Sequence, residues 1–492
     1  MRRILIGLFF LVLIVPVFGQ NQHGNLLKYW KYRERLRNRF MVVSENVMEY
    51  GVNIPASDIF YKSDSTKSYI SWGDANNNMS HYLSMLATEL WLLKQNNQDY
   101  SQTLKELYYA MLALERLDTY SESNLRWKNA RGYWIDNYRE KFYVRPGDIN
   151  GFMLRDDVSD NFWKENNNHF DVPIAVGNLI KTDNLHMEEL SQDVIEHDIE
   201  GLSLVSKLVG KESVATIPCN FSDIYIKPRL THLGIITCGS DVYISPQSVD
   251  FSLWAKDIVK RFIRYMQYDG KYRGRIGGVI PFTTHWILVN PVTNQCVMQG
   301  SGNDGGVAMI SSGIIKAGEV ITGENLRLYP GFASDGEFRL AFKKPKTFQL
   351  GKEDNKTRSV ACIGNVLGTK TFNVLRKLRD HYDPHKTGYF PIYEHFPLLY
   401  LVLHDPNHHL MKQDDDLYNS EKILYEGLLN CAPISGPASN CGVREWTSTS
   451  RCLWPENLGK SSNEHVEFNG LDYMMLHNLY YIAFGKNGFK QY

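Results

Sequence analysis

The apolar spacing of this chain predicts a mainly α fold, an α/α toroid of helical hairpins with a β-rich insertion around residues 277–345. Three observations carry that expectation. Apolar residues recur at helical spacing in eight or nine segments, several of them paired through short polar links. Strands and helices do not alternate as a parallel sheet requires. No fixed-length repeat marks a regular solenoid. At 492 residues, 43% of them hydrophobic, the chain can bury a core for a single toroid-like domain spanning residues 20–492.

Residues 1–19 read as a signal peptide. Met1-Arg2-Arg3 supplies the positive start, Ile4 to Val17 the apolar run, and Val17-Phe18-Gly19 a cleavage site before Gln20. The apolar run falls short of the ~20 residues that a membrane span needs. The expected product is a secreted or periplasmic protein with no stable membrane span.

After a charged, aromatic leader (Tyr29 to Phe40), Met79, Tyr82, Leu83, Leu86, Leu90 and Leu93 mark a helix from about Asn78 to Gln95. The link 96–101 leads to a second helix ending near Thr119, with Leu104, Leu107, Tyr108, Met111 and Leu117 on one stripe. So short a link makes the two antiparallel. A polar, aromatic segment, 120–176, follows as a long loop, and loops of that length tend to be functional. Helical spacing returns at Met187–Leu208 and Phe251–Tyr268, with loops and short strands between. The β-rich insertion begins with two strands around a Pro291–Asn294 turn. Further helices are expected near Thr371–Arg379, Tyr393–His404, Ser420–Leu429 and Glu467–Phe484.

Lys plus Arg equals Asp plus Glu, 54 each, which argues against the basic face of a nucleic-acid binder. Seven cysteines without a CxxC pair argue against a zinc ribbon, and Cys431, Cys441 and Cys452 are close enough for one local disulfide. The chain has no nucleophile elbow, Walker loop, HExxH or dinucleotide fingerprint, and no metal or cofactor is expected. Gly300 to Gly306 fits a flexible turn, Asp380 and Asp383 lack the spacing of a calcium loop, and the histidines of His404 to His409 fit a solvated loop.

Four motifs share one habit: a carboxylate, an aromatic and a turn residue in a loop. They are Trp72-Gly73-Asp74, Asn150-Gly151-Phe152 leading to Arg155-Asp156-Asp157, Tyr393-Glu394-His395, and the stretch holding Trp446, Arg451 and Trp454. A sugar presents C–H faces that stack on rings and hydroxyls that need polar partners, so this mixture suits carbohydrate. Each motif also has a plainer reading. Asp74 serves as a helix cap, Asp156 and Asp157 as turn or ion-pair partners of Arg155, and Glu394 as a dipole complement at a helix start.

With the first hairpin, the Asn150 to Asp157 loop and the tail "GLDYMMLHNLYYI", the chain resembles secreted helical-toroid proteins of the broad six-hairpin glycosidase-like group. In that group an inner ring of helices leads to a funnel with an aromatic, acidic rim. The resemblance implies a polysaccharide or oligosaccharide ligand, but no particular reaction. A hydrolase would use Asp74 with Asp156 or Asp157 as its acid/base pair, and Glu394 as the reserve carboxylate. Trp72, Trp446 and Trp454 would stack on sugar rings, and Arg155 or Arg451 would meet acidic sugars. A lyase would draw on Tyr393 and His395. The alternative is a non-catalytic glycan-binding or structural surface protein on the same fold.

Overall fold

The computed structural model describes residues 24–43, 54–56, 58–61, 68–71, 75–130, 192–214, 233–234, 236–237, 247–266, 272–276, 280–284, 289–290, 295–296, 317–326, 396–404, 438–439, 465–485 and 488–491, with single positions at 151, 153 and 162 and scattered ones within 422–434. The described residues are mostly helical, so the protein is mainly α.

The helices are α1 (24–35, widening into a π turn at Leu36–Phe40), α2 (Ala75–Gln95), α3 (Ser101–Ala130), α4 (Gln192–Leu208), α5 (Phe251–Met266), α6 (Phe396–His404) and α7 (Leu471–Phe484). Four strands form a sheet in the order β10 (Ala438–Ser439), β11 (His465–Phe468), β1 (Asp58–Tyr61), β2 (Ser68–Ser71). A second sheet orders β3 (Lys211–Val214), β5 (Gln247–Asp250), β4 (Ile236–Thr237). Two antiparallel pairs follow, β6 (Tyr272–Ile276) with β7 (Ile280–Thr284), and β8 (Val289–Asn290) with β9 (Gln295–Cys296). The last pair encloses residues 291–294, where the turn was expected.

Several boundaries differ from those expected. The leader is helical, because Leu26, Tyr29, Tyr32 and Leu36 form a buried stripe at helical spacing. α2 starts at Ala75 rather than near Asn78. α3 runs to Ala130, so the long loop cannot begin at 120: no glycine or proline interrupts the sequence before Gly132. α4 starts at Gln192 and α6 at Phe396, each later than its apolar spacing suggested. The last helix starts at Leu471, not Glu467. His465 to Phe468 alternate as a strand, and Gly470 at φ 81 makes the turn between strand and helix. Strand structure begins at Tyr272, ahead of the 277 boundary, and 317–322 within the insertion is helical. Thr371–Arg379 lies outside the described residues.

Named contacts fix the helix directions. Thr103 bonds Glu89 and Tyr82 bonds Glu106, so α3 runs antiparallel to α2, as the short link requires. Gly201 of α4 sits on Ser80, and Lys94 pairs with Glu212 just beyond α4, so α4 runs parallel to α2. Asn469 bonds Asn78, Asn478 bonds the Met85 carbonyl and Gly488 bonds Asn96, so α7 is also parallel to α2. α5 returns antiparallel to α4, with Ser252 on the Ser206 carbonyl. α1 opposes α7, with Tyr29 beside Asn478 and Arg35 on the Phe468 carbonyl.

The result is a row of parallel neighbours, α4–α2–α7, with α5, α3 and α1 running the other way against it. Met79 to Leu90 of α2 are buried without a break, as are Leu471 and Tyr473 to Ala483 of α7. A helix covered on every side belongs to an interior layer. α1 and α5 keep exposed faces, with Lys31, Arg37, Leu253 and Arg264 in solvent. The first sheet sets the parallel pair: Ser71 and Phe468 both oppose Asp58, so β2 and β11 end at the same level on either side of β1 and release α2 and α7 in one direction. The end at which α4, α2 and α7 begin is called the upper end below.

Candidate functional site

The upper end gathers buried charge. Arg261 of α5 pairs with Glu115 and Asp118 of α3 and with Asp257 one turn back on its own helix. Trp254 donates its indole N–H to Glu115 at 2.8 Å. Burial opposes the guanidinium charge, but Glu115, Asp118 and Asp257 outweigh it and hold Arg261 charged well above its ordinary range. Asp118 lies more than three turns beyond Glu106 on α3, while Tyr82 is only two turns from the start of α2. Asp118 therefore stands more than one turn beyond the start of α2, roughly 7 Å past Ala75 along the helix axis.

Asp118 also receives the chain from 150 onward. Gly151 donates its backbone N–H to Asp118 Oδ1 at 2.7 Å, and Met153 is fully buried. Gly151 has φ 99, a conformation that side chains resist, and an added Cβ would fall on the Arg261 carbonyl. Only glycine fits that seat.

Asp198 of α4 stands three residues before Gly201, where α4 touches Ser80 of α2. Its side chain is 0% exposed, and neither carboxylate oxygen has a hydrogen-bond partner among the described residues. Burial alone pushes its pKa well above the usual carboxylate range. Such a group weakens the fold unless something else binds it.

Further along the helices, Arg33 of α1 is forked between Glu89 and Glu106, with bonds of 2.8 to 2.9 Å to both. Tyr29 and Thr103 complete Glu89, and Tyr82 completes Glu106. Burial works against the charge of Glu106, yet Arg33 and Arg37 hold it below the usual range. This network is closed, and it welds α1, α2 and α3. Beside it, His477 of α7 stacks on Tyr29 at 4.8 Å and contacts Tyr473, Tyr481 and Phe489. Burial lowers its pKa to about 3, so it is a neutral packing residue.

The eleven residues singled out from sequence, Trp72, Asp74, Arg155, Asp156, Asp157, Tyr393, Glu394, His395, Trp446, Arg451 and Trp454, all lie outside the described residues. Their flanks are described. Asp74 immediately precedes α2, and His395 immediately precedes α6, which packs on α7. Arg155 follows Met153 by two residues. The segment holding Trp446, Arg451 and Trp454 joins Ser439 to His465, whose end of the sheet is the one opposite Ser71, about 10 Å away. The starting points of the motifs are thus not all at one edge.

Sequence reasoning missed Asp118, Arg261 and Asp198. Their signal was a charge set among apolar stripe positions: Asp118 beside Leu117, Arg261 before Phe262, and Asp198 three residues after Ile195 and one before Ile199. Among the described residues, no helix is long and apolar enough to cross a membrane. The chain matches no family model, no curated protein and no solved structure.

Proposed function

We propose that the protein is an exported, carbohydrate-active protein whose helices continue as an α/α toroid, and that it cleaves a polysaccharide with paired carboxylates in an aromatic-lined cleft. The observation that carries this reading is the parallel row α4–α2–α7. Its three helices begin at one end, and Trp72-Gly73-Asp74 directly precedes the central one. A row of parallel interior helices backed by antiparallel outer ones is the arc from which a closed helical ring is built. Its upper end also collects the positive ends of three helix dipoles, which favours carboxylates there.

In this reading Asp74 and Asp156 or Asp157 are the acid/base pair and Glu394 the reserve. Trp72, Trp446 and Trp454 stack on sugar rings, while Arg155, Arg451, Tyr393 and His395 contact substrate. Glycoside hydrolysis needs carboxyls about 5–5.5 Å apart for retention or about 6.5–9.5 Å for inversion. The ligand is a polysaccharide or oligosaccharide.

The test is a polysaccharide panel incubated with the purified protein, following reducing ends and the absorbance of unsaturated uronates, beside Asp74→Asn and Asp157→Asn variants. Products from the wild type that vanish in the variants support the mechanism. Products that survive Asp157→Asn remove that residue from it. Retention without products makes the protein a glycan-binding module, and neither products nor retention sinks the carbohydrate reading.

A further inference from the structure

Asp198 lies buried beside the seam where α4 runs along α2, and no donor among the described residues answers its carboxyl. We propose that this seam is a pH-sensitive switch, closed while Asp198 carries a proton and loosened at the upper end of α4 as the carboxyl ionises. The inference goes beyond the carbohydrate reading and does not depend on it.

The seam is tight. Gly201, one turn after Asp198, donates its backbone N–H to Ser80 Oγ at 3.3 Å. A Cβ at 201 would stand 2.7 Å from the Ser80 carbonyl oxygen, so the two helices leave no room for water at that contact. The seam is also partly polar. Ser84, one turn after Ser80 on α2, is fully buried, and its hydroxyl has no hydrogen-bond partner among the described residues. Unanswered polar groups on both helices make this a weak line in the core.

The charges of the neighbouring helices are committed elsewhere. On α2, Glu89 is taken by Arg33 and Lys94 by Glu212, while His81 follows Ser80 at the crossing. On α5, Arg261 is taken by Glu115, Asp118 and Asp257, and Lys260 by Glu324. Lys256 and Arg264 of α5 and Lys207 of α4 reach solvent. Glu200 stands two residues from Asp198 and so lies on the opposite side of α4. No cation is left to hold an ionised Asp198.

The direction of the switch follows. Burial raises the pKa of Asp198 in the closed seam, whereas an opened seam would expose an ordinary carboxyl near ~4. The seam is therefore tightest below that ordinary value and weakens as pH rises through the closed-state value. A carboxylate there needs water, and water enters only if the helices part. The lower end of α4 is tied down by the Lys94–Glu212 pair, by β3 along β5, and by the Phe251 N–H on the Gly210 carbonyl. Loosening is thus confined to the upper half, from Gln192 to Gly201.

The test is amide hydrogen exchange on the full-length protein between about pH 4 and about pH 9, corrected for the intrinsic pH dependence of exchange. In the wild type, protection of the upper half of α4 should fall about tenfold per pH unit above ~4 until the closed-state value is reached, because opening releases one proton. Protection of α1 and α7 should stay flat over the range below His477-independent pH, that is, above ~6.5. Asp198→Asn keeps the shape and removes the proton, so its α4 protection should not change with pH.

The wild type alone can refute the switch: α4 protection that is flat across the range overturns it, whether or not the variant folds. A wild-type fall in protection that persists in Asp198→Asn assigns the titration to another group, His81 or Glu200, and overturns the role of Asp198. A fall shared equally by α1 and α7 above ~6.5 marks loss of the whole fold and overturns a local seam.

Discussion

Replacing Gly201 with alanine sets two effects of opposite sign against each other. Glycine inside a helix is less favourable than alanine by ~1 kcal/mol, so propensity alone makes Gly201→Ala stabilising. The packing says otherwise. A Cβ at 201 would stand 2.7 Å from the Ser80 carbonyl oxygen, 3.1 Å from Ser80 Oγ and 3.2 Å from Leu83 Cβ. The nearest atom is backbone in the middle of a buried helix and cannot rotate away. Overfilling a packed core costs ~1–3 kcal/mol. Pushing α4 off α2 also weakens the Gly201 N–H bond to Ser80 Oγ, worth ~1 kcal/mol. The balance is a destabilisation of about 1–3 kcal/mol, the sum of these opposing terms. Gly427 is the control: it is helical and a Cβ there meets nothing within 4 Å, so Gly427→Ala should gain ~0.4–1 kcal/mol. Urea titrations followed by far-ultraviolet circular dichroism would read both. A Gly201→Ala protein as stable as wild type, or shifted upward like Gly427→Ala, would refute the close crossing of α2 and α4.

Three further outcomes are expected. Arg33→Met should cost ~3–5 kcal/mol in a urea titration, because Glu89 and Glu106 lose their shared buried cation, and adding Glu89→Gln and Glu106→Gln should recover part of it. Asp198→Asn should raise the urea midpoint at neutral pH. The Asp198 carboxyl titrates higher folded than unfolded, so its contribution falls as pH rises from ~4 through the folded value, and the variant's advantage should vanish in acid. His477 has the opposite sign: its folded pKa of about 3 lies below the ordinary histidine value of 6.5, so stability is fully present above 6.5 and is lost as pH falls from there to 3. His477→Gln should flatten that acid slope, and an unchanged slope would place the titration elsewhere.

Much of the helical layout was legible before any coordinates. The stripe from Met79 to Leu93 marked α2, and the brief polar link after it made α3 its antiparallel partner. The errors fell where local polarity misleads. The segment 120–130 is polar, yet nothing in it stops a helix. His465 to Phe468 joins the apolar run of α7 in sequence, but pairs with β1 in space. The candidate chemistry was read from loops with aromatic and acidic residues. The buried groups that brace the upper end were overlooked, since a carboxylate inside a helix normally reads as a solvated face.

Periodicity by itself determined that this protein is mainly helical and that its first strong helices form a hairpin, because a 3.6-residue repeat and a short link are local properties. Only the tertiary structure decided that α4 and α7 run parallel to α2, since that direction depends on Ser80 meeting Gly201 and Asn78 meeting Asn469, contacts between residues more than a hundred positions apart. The same holds for charge. Sequence supplies Asp118, Asp198 and Arg261 as ionisable groups, and burial with or without a partner decides which are clamped in an ion pair and which has its pKa pushed up.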